Sequence, residues 1–171
     1  MSKAMPLNFM GWIEENRHLL KPPVCNATVY PPGSDFMIMV VGGPNSRKDY
    51  HIEDGPEFFY MLEGDMILKV VEDGEFRDIR ICEGEIYLLP PGVPHSPQRL
   101  ADTVGLVIER KRLGHEKDGL RWYCDACGTP LYEEFFHLTN IVAQLPPVME
   151  RFWASEEART CGSCGDVLQK P

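Results

Sequence analysis

The 171-residue sequence predicts a mainly β protein, a sandwich or barrel with a short N-terminal helix and a small cysteine-bearing tail. Three observations carry that expectation. Short β-type runs recur at 36–41, 57–62, 65–71, 75–81, 85–90 and 104–111, separated by turn residues. Asp73-Gly74 falls between two of them and reads as a hairpin turn. No helical periodicity intervenes, which sets a sandwich or barrel above an alternating α/β order. In chain order, Asn8 is expected to cap a helix reaching Leu20, with Met10, Trp12, Ile13, Leu19 and Leu20 as its apolar residues. Lys21-Pro22-Pro23 ends it, because proline disfavours helix in the residue before it. After the strands, the character changes near Leu113, so a division into 1–112 and 113–171 is expected. The tail holds "WYCDACG" (122–128), a stretch ending in Leu145-Pro146-Pro147, an amphipathic helix expected from about Pro147 to Arg159, and "CGSCG" (161–165).

Composition narrows the function. With 43% hydrophobic and 25% charged residues, the chain has the make-up of an ordinary globular protein. Its net charge of −9 and pI near 5.0 argue against nucleic acid as a partner, since phosphate binding needs a concentrated basic surface. No apolar run approaches the ~18 residues of a membrane helix, and "MSKAMPLNFMGWIEENRHLL" lacks a signal-peptide core. A cytoplasmic protein is expected, in which six cysteines point to metal or redox chemistry rather than stable disulfides.

Two constellations carry chemistry. In "YHIEDGPEFFYMLEG" (50–64), His51 and Glu57 differ by six, so a regular strand would aim both at one face, although Gly55-Pro56 interrupts regularity. In "GEIYLLPPGVPHSPQR" (84–99), restricted proline backbone sets His95 at the end of a turn, where a ligand can point inward. Arg47 and Arg99 each stand four residues from one of these histidines. Their planar forks suit a carboxylate, so they are candidates for an anion pocket, the alternative being solvated surface. The second constellation is Cys124-x-x-Cys127 and Cys161-x-x-Cys164, two knuckles with 33 residues between them. Four thiolates around one tetrahedral ion, zinc or iron, leave no open position, so a structural role is expected over a catalytic one. Free thiols or a redox pair are the alternative. Cys25 and Cys82 are left over as small apolar residues.

His51-x5-Glu57-x6-Gly64 followed by Gly84-x5-Pro90-x-Gly92-x2-His95 resembles the two motifs of the cupin superfamily, a double-stranded β-helix or jelly-roll barrel. The usual first motif has a second histidine where Glu53 stands here, leaving Glu53 as a possible extra ligand. Two histidines and one carboxylate are the set expected of an open non-haem Fe(II) site.

Nearly the whole chain, from "NFMGWIEENRHLLKPPV" through "VVGGPNSRKDYHIEDGPEFFYMLEG", "LLPPGVPHSPQR" and "LVIER" to "WYCDACG" and "CGSCG", resembles the 3-hydroxyanthranilate 3,4-dioxygenase family of the short bacterial type with a rubredoxin-like tail. That resemblance implies Fe(II) on His51, Glu57 and His95, with O2 as co-substrate. It gives Arg47 and Arg99 the substrate carboxylate and Glu109 the substrate's polar groups and hydroxyl proton. Read alone, Glu109 is a strand carboxylate paired with Arg110 or Lys111. The resemblance further implies Asn26, Asp49, Phe59, Pro97 and Ile141 at the pocket wall, iron or zinc on the four cysteines, and a homodimer. Its product, 2-amino-3-carboxymuconate semialdehyde, cyclises to quinolinate, a precursor of NAD. The rival readings are a cupin oxygenase for another aromatic and a non-enzymatic metal- or ligand-binding cupin.

Overall fold

A computed structural model describes residues 5–22, 25–31 and 33–171, with the side chains at 141 and 142 outside that set. Asn8 accepts the backbone N–H of Gly11 and caps α1 (Phe9–Asn16), which tightens into a 3₁₀ turn at Arg17–Leu19. Pro23, one of the residues expected to close this helix, lies outside the described residues.

Eleven strands then build two antiparallel sheets among the described residues. The first holds, in spatial order, β1 (Asn26–Thr28), β2 (Phe36–Gly42), β9 (Val104–Arg110), β4 (Glu57–Glu63) and β7 (Ile86–Leu89). The second runs β11 (Pro130–Phe136), β10 (Asp118–Tyr123), β3 (Asp49–Ile52), β8 (His95–Arg99), β5 (Met66–Glu72) and β6 (Glu75–Ile81). This is the expected mainly β class, with two sheets enclosing a core as in a jelly roll. The Asp73-Gly74 hairpin joins β5 to β6, with φ of 51° and 82° at the two turn residues. Alternate residues of both sheets meet in the core, where Met39, Phe59, Met61, Met66, Leu68, Val70, Ile81, Leu89 and Val107 are buried. Helix α1 covers the outer face of the first sheet, packing Ile13 and the following Leu20 on Ala27, Val40 and Val104.

Two expectations need correction, and one holds. His51 and Glu57 do not share a strand: His51 is on β3 and Glu57 on β4, in opposite sheets, because Asp54-Gly55-Pro56 turns the chain between them. His95 stands just past the turn at Pro91-Gly92, as expected, and opens β8. Its Pro97 is tolerated because β8 pairs with β3 only at His51 and His95. In the tail, the helix begins at Ile141, not Pro147. Asn140 accepts the Ala143 N–H, and the Gln144 side chain folds back onto the N–H groups of Thr139 and Asn140. That double cap starts α2 (Ile141–Ala154) ahead of Pro146 and Pro147. Ser155 then ends it and caps a short α3 (Glu156–Arg159).

The segment after Leu113 contributes to the barrel before it reaches the second cysteine knuckle. Its strand β10 pairs with β3, and β11 lies outside β10. Behind them Leu120 and Trp122 pack on Val148, Phe152 and Leu168, with the Trp122 and Phe152 rings stacked 4.3 Å apart.

Candidate metal centre and its surroundings

Register brings the expected ligands together. His51 on β3 lies directly opposite His95 on β8, and Glu57 on β4 lies directly opposite Glu109 on β9. The two sheets then aim these side chains at one another across the core. One ligand atom each from His51, Glu57 and His95 falls within 4.8 Å of the others, and all three residues are buried.

The donor chemistry fits a divalent cation. His95 Nδ1 lies 3.0 Å from the Val93 carbonyl, which can only accept, so Nδ1 carries the proton and Nε2 the lone pair. That Nε2 faces Glu57 Oε2 at 2.7 Å, yet Oε2 makes no aligned hydrogen bond. Such a close pair calls for a positive charge between the two atoms, which either a proton on Nε2 or a bound cation supplies. Burial lowers the imidazole's proton affinity at His95, but the Glu57 carboxylate outweighs it and raises the pKa. At His51 burial prevails and lowers it. Two imidazoles and one carboxylate are a set that suits a transition metal with open coordination positions.

Around this group the chain is densely charged. Glu53, Glu57 and Glu109 bring carboxylate oxygens within 4.8 Å of one another. Glu53 joins this acidic group rather than the two histidines, and its buried oxygens make no aligned hydrogen bond. Burial, then the neighbouring Glu109, pushes its carboxyl up to about 10. Burial, then Glu57, pushes Glu109 up to about 7. Glu109 is not paired with Arg110 or Lys111. It takes a hydrogen bond from Arg112, while Arg110 binds Glu116.

The two arginines differ. Arg47 donates from Nε to both Asp49 oxygens, at 3.3 and 3.1 Å. Arg99 is 3% exposed, and among the described residues its guanidinium meets only Met61 Sδ, at 3.5 Å. Burial pushes it down to about 10 against the pull of Glu57. Gly105 makes room for it, since a Cβ there would lie 2.5 Å from Arg99 Nη1. Asn26, Val41, Gly105 and Met61 form one cross-strand row, which places Asn26 on the same inner face. Phe59 is buried with its ring edge-on to His95 at 6.3 Å. Pro97 is half-buried and its carbonyl accepts from Asn45 Nδ2. The side chain of Ile141 lies outside the described residues.

Two residues around this site escaped the sequence reading. Arg112 bridges Glu109 and Asp118, and Asp118 reaches His51 Nε2 at 2.7 Å. The available signal was parity: Asp118 alternates with buried Leu120 and Trp122, so it falls on the buried face of β10.

The four cysteines converge at the far end of the tail. Sγ–Sγ separations are 3.6 Å for Cys124 and Cys164 and 3.5 Å for Cys127 and Cys161, near the ~3.8 Å edge of a tetrahedron with ~2.3 Å bonds. Gly128 and Gly165 close the two knuckles, donating to the carbonyls of Cys124 and Cys161 with φ of 72° and 77°. Backbone N–H groups of Cys164 and Ser163 draw the Cys161 thiol down to about 6. Crowding by the other sulfurs pushes Cys164 up to about 12 despite a backbone hydrogen bond at Asp166. Four thiolates therefore coexist here only around a cation. Replacing Cys124 and Cys161 together by serine is expected to remove one equivalent of bound metal and lower Tm by about 5 °C or more. Metal analysis and thermal melting check this; an unchanged melt would show that the knuckles are not a structural site. Substitution is the cleaner test than cutting at 113, which would also remove β10.

The family model described as 3-hydroxyanthranilic acid dioxygenase matches residues 1–153. A protein of Xanthomonas campestris pv. campestris (strain 8004) named 3-hydroxyanthranilate 3,4-dioxygenase is 57% identical over 97% of this chain and 93% of its own. Proteins of that name from Jannaschia sp. (strain CCS1) and Neurospora crassa are 55% and 52% identical, over 98% and 95% of this chain and 93% and 89% of theirs.

Proposed function

Because the chain belongs to the 3-hydroxyanthranilic acid dioxygenase family, we propose that it opens the ring of 3-hydroxyanthranilate at a metal held by His51, Glu57 and His95. Both atoms of O2 enter the product, 2-amino-3-carboxymuconate semialdehyde, which cyclises to quinolinate on the way to NAD. The observation that carries this reading is the convergence of one ligand atom each from His51, Glu57 and His95 within 4.8 Å of one another in a buried place.

Fe(II) is the metal we assign, because it offers open positions and the electron transfer that lets an aminophenol ring react with O2. The chain's own residues do the rest. Arg99 takes the substrate carboxylate in a buried place where a charge-assisted bond counts for most. Asp49 holds Arg47 so that its remaining N–H groups can supply the second donor. Glu109, opposite Glu57, takes the substrate's hydroxyl proton and orients its amino group. Phe59, Asn26, Pro97 and Ile141 form the wall that keeps the ring in one pose. The four-cysteine centre, with iron or zinc, is structural. The same family reading carries a homodimer in the cytoplasm, where a reducing medium keeps the thiols available; sedimentation tests the dimer.

The experiment is O2 uptake with 3-hydroxyanthranilate beside 2-aminophenol and catechol, on metal-stripped protein with Fe(II) or Zn(II) restored. Activity is expected with Fe(II) and 3-hydroxyanthranilate. Full activity without metal, or a preference for another ring, would refute the assignment.

A further inference from the structure

Asp118 is the first residue of β10, fully buried and on the strand that pairs with β3, which carries His51. Its Oδ2 lies 2.7 Å from His51 Nε2. A carboxylate can only accept, so Nε2 carries the proton and Nδ1 keeps its lone pair. The carboxylate is itself held. Arg112 donates from Nε to Oδ1 at 3.0 Å and Oδ2 at 3.2 Å, and from Nη2 to Oδ2 at 2.6 Å. The opposite side of the same guanidinium donates to Glu109 through Nη1, and Nη2 lies 2.7 Å from Glu53 Oε2. One cation thus joins Glu109, from the first sheet, to Asp118 and through it His51, from the second.

We propose that Asp118 and Arg112 are positioning residues for the metal centre: Asp118 fixes the tautomer and plane of the His51 ring, and Arg112 locks Asp118 and Glu109 in one frame. This rests on the reading of His51 as a metal ligand. The frame spans both sheets, so it ties the ligand side of the site to the carboxylate on its substrate side. The bland alternative is a buried ion pair that only fastens the tail strand to the barrel. The two differ in what they predict: a fastener affects melting, whereas a positioning pair affects the imidazole and its metal affinity.

The test uses the full chain stripped of metal at the histidine site. Co(II) is titrated by absorbance, and long-range proton–nitrogen NMR reports the His51 tautomer. Asp118→Ala is expected to weaken Co(II) binding about 10- to 100-fold and to mix the two tautomers. Asp118→Asn keeps an acceptor at the Oδ2 position without the charge, so its affinity is expected between those of the parent and Asp118→Ala. Arg112→Lys keeps the charge but not the fork, and should also weaken Co(II) binding and blur the tautomer. Metal retained by the four cysteines checks that each variant is folded. Should Asp118→Ala fail to fold, Asp118→Asn decides. Parent-like affinity and parent-like nitrogen shifts in the folded variants would overturn the proposal. His51→Ala in the same titration separates the two possible failures. If it binds Co(II) as the parent does, the ligand assignment is wrong and the positioning role falls with it; if it does not bind while the Asp118 variants do, only the positioning role is wrong.

Discussion

His51→Ala, Glu57→Gln and His95→Ala are each expected to lower ring opening by at least about 10³-fold while the four-cysteine centre keeps its metal. The size follows from what the centre contributes: a bound metal is worth several kcal/mol of barrier, and each ~1.4 kcal/mol is tenfold in rate. The register gives no substitute for any ligand. Glu57 and the two histidines come from strands in opposite sheets, and Glu53 has joined the carboxylate group beside Arg112 instead. Glu57→Gln is the most informative of the three, because it preserves the shape of the side chain and removes only the anionic donor. Rates are read as O2 uptake under saturating Fe(II), with metal analysis and thermal melting on the same preparations. A folded variant that turns over at the parent's rate would remove that residue from the ligand set.

Much of this was legible in the sequence, for identifiable reasons. Strands β2, β4, β5, β6, β7 and β9 are short β-type runs bounded by turn residues, and each lies where its pattern put it. The four cysteines were legible because two CxxC knuckles have one economical geometry. The convergence of His51, Glu57 and His95 was legible through motif spacing and not through strand periodicity. The even separation of His51 and Glu57 suggested one shared face, and the structure instead folds the chain at Gly55-Pro56 and brings the residues together across the barrel. What escaped was set by long-range pairing. Arg112 and Asp118 sit in a stretch, "KRLGHEKDGL", that reads as a charged connection until β10 docks on β3, burying Asp118 and half-burying Arg112. The early start of α2 was hidden by Pro146-Pro147, whose local preference lost to the cap formed by Asn140 and Gln144.

Arg99→Met is expected to lower kcat/KM for 3-hydroxyanthranilate by about 10²- to 10³-fold while leaving Tm unchanged or raising it. The two signs come from one fact. Arg99 is 3% exposed, and among the described residues its guanidinium is met by the Met61 sulfur rather than a carboxylate. The fold therefore carries a buried charge whose lost hydration no acid at hydrogen-bond distance makes good, a cost that methionine removes. On the function proposed above, the substrate supplies that acid. When its carboxylate arrives, a paired, desolvated ion bond forms that the variant cannot make. Arg47→Met should cost less, because Asp49 already occupies part of its fork and the side chain is about a quarter exposed. The discriminating measurement is the ratio of kcat/KM for 3-hydroxyanthranilate to that for 2-aminophenol, which lacks the carboxylate. The ratio should collapse in Arg99→Met, mostly through the loss with 3-hydroxyanthranilate, and Arg99→Lys should recover part of it by restoring charge without the planar fork. A variant that loses activity towards both rings equally, and melts earlier, would mean that Arg99 supports the barrel rather than the substrate.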